Sequence, residues 1–182
     1  MIARRDGLRL LDENISNVNL KKHMIAVSGV MRKLAESRGE DVALWEMVGL
    51  LHDIDYEKVG DMNRHGLMSA EMLNGYLPDA GLQAVRSHNE MTGNQPSTAM
   101  DNALVAADAV AGLGVATALM MPQKKLAEVQ VSSLVKKFND KSFARNVDRN
   151  RLMFCTRLDM PLEVFLSASL QGLQEVASEL GL

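Results

Sequence analysis

The stretch LLHDIDYEKVG, residues 50–60, decides how this chain is read. An apolar run that looks like the end of a buried helix closes on an adjacent imidazole and carboxylate, His52 and Asp53. Burying both side by side is costly unless each is satisfied. A buried ion pair would satisfy them, and so would a metal ion. Separating the two requires the rest of the sequence.

Composition favours helices around the pair. Hydrophobic residues make up 47% of the 182 and charged residues 24%, as in ordinary globular domains. The apolar material is Leu, Ala, Val and Met, while aromatics reach only 4%. Good helix formers without β-branched and aromatic strand formers predict an all-α fold. The length suits one domain, residues 1–182, and no linker or repeat interrupts it. The expected plan is a helical bundle of about eight to ten helices. A core over about 17–121 would carry C-terminal helices, about 124–182, packed on it.

Punctuation places the helices. The first runs from about Ile2 to Asn14. A second follows Ser16 or Asn17 to about Ser37, with Leu20, Met24, Val27, Met31 and Leu34 on one face. Asp41 caps a third from Val42 to about Ile54. Asp61 or Asn63 opens a fourth through His65, and Pro78 a fifth that ends near Ser87 or His88. NEMTGNQPS, 89–97, is a loop. Ser97 and Thr98 then open an Ala-rich helix through Asp108 that Pro122 stops. Lys124–Asp140 and Ser142–Asp159 read as shorter helices, and Pro161 begins a final one to Leu180.

Charge and cysteine content narrow the function classes. The single Cys155 excludes an internal disulfide and a cysteine-based zinc site, and suits a reducing cytoplasm. The N-terminal residues carry Asp6 and lack the apolar run of a secretory signal, so a cytoplasmic chain is expected. Residues 103–121 are long enough to span a membrane, but Asp108 sits within them and a buried helix is the better reading. Eight Lys/Arg between Lys124 and Arg151 face only Glu128, Asp140 and Asp148, a local balance of +5 on a chain of net charge −3. Such a segment could meet nucleic acid, but Phe138 and Phe143 are its only aromatics, and a solvated helix face is favoured.

All four histidines, His23, His52, His65 and His88, fall in or at the end of different predicted helices, the second to the fifth. Alone, each is an ordinary core or surface histidine, and Asp108 alone could pair with a Lys or Arg. Together, imidazoles and carboxylates on separate helices of a bundle are what a divalent transition metal takes.

In that order the residues resemble the HD-domain metal-dependent phosphohydrolases: His23, then the pair in LLHDID, His65 in RHGLMSAEML, His88 in VRSHNE and Asp108 in ALVAADAVAGL. The likeness spans about residues 20–115 and points to a small single-domain branch for which it supplies no substrate. It implies a first metal site of His23, His52, Asp53 and Asp108, with His65 and His88 for a second ion. The metal would be one or two divalent ions, Mn, Fe, Co, Ni, Zn or Mg. The implied reaction is hydrolysis of a phosphate ester by metal-activated hydroxide, with Asp53 and His52 catalytic, in a phosphomonoesterase or phosphodiesterase. Its partner would be a small, nucleotide-like phosphorylated substrate rather than nucleic acid or a membrane, and a homo-oligomer stays open. Arg64 and Lys58 are the candidate phosphate-binding groups, Asp55 and Glu90 the candidate supporting acids. The alternative is a non-catalytic nucleotide- or metal-binding regulatory module on the same fold. The chain also departs from the family: Asp55-Tyr56 replaces a common Gly-Lys, and Asn89 follows His88 without the doubled histidine and Gly-Tyr-Pro of cyclic-dinucleotide hydrolases. Cleavage of cyclic dinucleotides is therefore not expected.

Overall fold

Asn17 starts the helix around which the others assemble. Its side-chain oxygen accepts the N–H groups of Asn19 and Leu20 at 2.9 and 3.2 Å, satisfying donors that an α-helix leaves orphaned at its first turn. The computed structural model describes residues 2–182. Among them, α1 is Arg4–Asn14, α2 Val18–Arg38, α3 Val42–Leu51, α4 Leu67–Met72 and α5 Asp79–Ser87. They are followed by α6 Ala99–Leu119, α7 Val131–Asn139, α8 Arg149–Leu152, α9 Leu162–Glu175 and α10 Ala177–Leu180. The described residues form no β-strand, and the all-α expectation holds.

α2 is covered by α3, α6 and α9. Met24, Val27, Met31 and Leu34 are fully buried on it, as their spacing predicts, and they share one core with Val48, Leu104, Phe165 and Leu173. α9 reaches α2 closely because glycines face each other: a Cβ on Gly29 would sit 2.5 Å from the carbonyl oxygen of Gly172, closer than any packed carbon tolerates. Through this contact the C-terminal helices lie on the N-terminal ones.

α6 opens with a capping box between Thr98 and Asp101. It is apolar enough to cross a membrane by length and composition, but 72% of its most apolar stretch is buried in the fold. Here it is an interior helix.

Several boundaries differ from the sequence expectation. The first helix begins at Arg4 rather than Ile2. α3 stops at Leu51, three residues short of Ile54, because the N–H of Ile54 turns back to Leu51 and that of Tyr56 to Asp53, tightening the chain into successive turns. The fourth helix is broken at His65-Gly66, leaving a 3₁₀ turn at Met62–Arg64 and then α4. The two helices expected over 124–159 are short pieces. Between them residues 140–148 form an irregular loop, gathered by Arg149, whose guanidinium donates to the carbonyls of Phe143, Ala144 and Val147 at 2.6, 2.7 and 2.7 Å.

Candidate metal centre

Five segments deliver side chains to one point. α2 carries His23, the turn after α3 carries His52 and Asp53, the turn before α4 carries His65, the end of α5 carries His88, and mid-α6 carries Asp108. His52 is fully buried, Asp53, His65 and His88 are nearly so, and the side chains of His23 and Asp108 are about a quarter exposed.

Three imidazoles are held in one tautomer. His52 Nδ1 donates to the Gly49 carbonyl at 2.9 Å and His88 Nδ1 to the Val85 carbonyl at 2.6 Å. Carbonyls only accept, so each proton sits on Nδ1 and each Nε2 carries a lone pair when the ring is neutral. His65 Nδ1 donates to Asp55 Oδ1 at 2.8 Å. The three Nε2 atoms lie 3.2, 3.3 and 3.2 Å from one atom, Asp53 Oδ1, for His52, His65 and His88 respectively. His65 and His88 Nε2 are 3.1 Å apart. On the other side His23 Nε2 is 3.0 Å from Asp108 Oδ1 and 3.9 Å from Asp53 Oδ2.

Gly66 makes room for this crowding. Its φ is +88°, and a Cβ there would lie 2.9 Å from the Val85 carbonyl and 3.0 Å from the His88 ring. Asp55, with no solvent exposure, holds the same turn: its Oδ2 accepts the N–H groups of Gly66 and Ser69 at 2.9 and 3.0 Å. Asn89 closes it by donating to the carbonyls of Met62 and His65 at 2.8 and 3.0 Å.

Protonation follows from this packing. Burial pushes His52 down to about 4, outweighing the nearby Asp53 charge, so its imidazole is neutral at pH 7. Burial opposes charge on His65 too, but hydrogen bonds to Asp53 and Asp55 outweigh it and hold that ring up at about 9. At His23 burial is again overcome, by the bond to Asp108, and its pKa rises. Burial would raise Asp53 and Asp108, yet the surrounding imidazoles hold both carboxyls well below their usual range.

The donor set fits a divalent cation. His52 Nε2 is buried and, though 3.2 Å from Asp53 Oδ1, makes no hydrogen bond, because the neutral ring's proton is on Nδ1; it is an orphan that a cation would satisfy. Ligand atoms of His23, His52 and Asp108 lie within 4.8 Å of one another, and so do those of His52, Asp53 and His88. Imidazole nitrogen and carboxylate oxygen are the donors of transition-metal sites in bundles.

A family model described as the HD domain matches residues 20–113. The chain belongs to the HD domain family. HD domains are typically metal-dependent phosphohydrolases, and the buried His/Asp cluster of this HD domain fits metal binding. All six converging residues lie inside the matched segment. No curated protein and no solved structure matches the chain.

The centre opens into a cavity of about 380 Å³ whose walls include His23, Asp53, His65, His88 and Asp108. His52 lies behind them and does not line it. Leu20, Tyr56 and Met62 add apolar surface, Tyr56 standing edge-on to His65 with ring centroids 5.2 Å apart. Arg64 and Lys58, expected to meet phosphate, are not brought here. Arg64 is exposed and pairs with Glu71 at 3.1 Å, and Lys58 is drawn to Asn14 at the end of α1. Glu90 is exposed and also stays outside, whereas Asp55 does support a candidate ligand. His65 sits in a turn rather than within a helix. Sequence reasoning missed one cavity residue that carries charge, Arg151. Its only signal was membership of the basic segment 124–151.

Proposed function

We propose that this HD domain is a phosphohydrolase that cleaves a phosphate ester of a nucleotide or other small phosphorylated metabolite in the cytoplasm. One observation carries the reading: Nε2 atoms of three fixed imidazoles surround Asp53 Oδ1 at 3.2–3.3 Å, with His52 Nε2 left unpartnered. His23, His52, Asp53 and Asp108 would hold one divalent ion, with His65 and His88 available to a second. Such an ion supplies Lewis-acid charge to a phosphoryl group and acidifies bound water towards a pKa of about 7.

The chain's own residues supply orientation. His52 is buried behind Asp53, which suits holding a cation rather than touching substrate. Asp53, kept ionised, balances imidazole and cation charge at the cavity floor. Asp55 and Asn89 fix His65, so that little reorganisation is needed when a substrate enters. The cavity volume is in the range of small-ligand sites, and Tyr56, Met62 and Leu20 offer an apolar wall to the organic part of the ester.

The test is metal content and phosphate release on one preparation. The purified protein should carry a divalent metal in fixed stoichiometry and release phosphate from some member of a phosphoester and nucleotide panel. Asp53→Ala should lose both. Unchanged metal content in that variant counts against the centre. A metal-loaded protein whose melting temperature rises with nucleotides, while no ester is cleaved, makes the domain a regulatory module instead.

A further inference from the structure

Of the twenty Lys and Arg residues, Arg151 is the one whose side chain lines the cavity. It comes from α8, outside the segment matched to the HD domain. Its Nη2 donates twice, to Asp108 Oδ2 at 2.8 Å and to the His88 carbonyl at 3.0 Å. Nη1 and Nε make no hydrogen bond to any described residue, and neither is buried away from solvent. A guanidinium serving only to neutralise Asp108 would gain most by lying bidentate along the carboxylate. This one is anchored through a single nitrogen.

Its position is built in from two residues earlier. Arg149 ties the 137–147 segment together through six backbone carbonyls, among them Lys137 and Asp140 at 3.2 Å, and α8 docks on α6 opposite Asp108.

We infer that Arg151 is the substrate's anion receptor: it stays anchored to Asp108 and the His88 carbonyl through Nη2 and offers its free N–H groups to non-bridging phosphoryl oxygens. The inference rests on the phosphohydrolase reading for its substrate class. With Nη2 committed, Nη1 and Nε remain as charge-assisted donors at the cavity, whereas Lys58 and Arg64 lie outside it. Arg151 also supplies positive charge that, unlike that of the cavity's imidazoles, does not titrate, beside the carboxylates of Asp53 and Asp108.

The experiment measures inorganic phosphate binding to the manganese-loaded protein by calorimetry, alongside metal stoichiometry, for wild type, Arg151→Gln and Arg151→Lys. Both variants should keep the metal. Arg151→Gln should weaken phosphate binding about ten- to a hundredfold, the loss expected for charged hydrogen bonds, and Arg151→Lys should recover only part of it. Equal phosphate affinity in wild type and Arg151→Gln overturns the inference. So does loss of metal from both variants, which would make Arg151 a strut for Asp108. Phosphate bound through Arg151 by a protein that cleaves no ester supports the inference and removes the hydrolase reading. Ester cleavage with the same KM in wild type and Arg151→Gln does the reverse.

Discussion

Asp55 illustrates what a single carboxylate decides. One oxygen takes the Nδ1 proton of His65 and the other takes the N–H groups that open α4. Asp55→Asn keeps the shape but has one acceptor for two sets of donors. If the amide oxygen stays on Gly66 and Ser69, the NH₂ group faces His65, and Nδ1 must become an acceptor. The ring proton then moves to Nε2 and the lone pair aimed at the centre is lost. Metal affinity, read by chelator competition, is expected to fall about ten- to a hundredfold, with little change in the far-ultraviolet spectrum. An unchanged affinity would detach Asp55 from the centre. In the sequence Asp55 was visible only as an acid near the His-Asp pair. Its burial, and therefore its role, depends on a turn in which His65 is held by tertiary hydrogen bonds. The six converging groups were legible only as a set: each alone reads as an ordinary residue, and it was their order along the chain, matching a family pattern, that brought them together. Arg151 did not stand out, because an arginine in a basic surface-like segment looks the same whether its tip reaches water or a cavity.

Among the elements, the helix starts that carry a capping side chain were legible. Asn17, Asp41 and Thr98 cap as their side chains suggest, a local effect that sequence records. The ends of α3 and the break before α4 are set by which backbone groups find partners across the fold, and local propensity does not encode that. Glu57 belongs to this second kind. From the turn after α3 it accepts the N–H of Ser16, the Ser16 hydroxyl and the N–H of Asn17, at 2.9, 2.7 and 2.6 Å, pinning the turn to the start of α2. These bonds, the Ser16 N–H foremost, hold its carboxyl below the ordinary 4.5. A depressed acid stabilises the fold above its unfolded pKa and loses that contribution as pH falls through the lower folded value. Wild type should therefore exceed Glu57→Gln in urea midpoint at pH 7, and the gap should close as pH drops below about 4.5. A gap that is constant with pH would assign the effect to packing.

At the scale of the molecule the centre is a cross-link between segments far apart in sequence. His23 and Asp108 are 85 positions apart, yet their side chains meet at 3.0 Å. A metal bound there would tie α2 and α6 to the turns that carry His52, Asp53 and His65. In small metallo-domains without a core such a tie is what folds the chain. Here it is not, because Met31, Leu34, Val48, Leu104 and Phe165 are buried independently of the centre. Metal removal should thus leave a folded, cooperatively melting protein with a lower melting temperature. Ligation of the native state alone stabilises by mass action, about 2.7 kcal/mol at a hundred times Kd. The melting temperature of the stripped protein should climb with the logarithm of added manganese, and that of Asp53→Ala should stay flat. Unfolding on chelation would mean that the metal, rather than the packed helices, determines the fold. A melting temperature indifferent to both chelator and manganese would mean that the native centre takes up none of the ion.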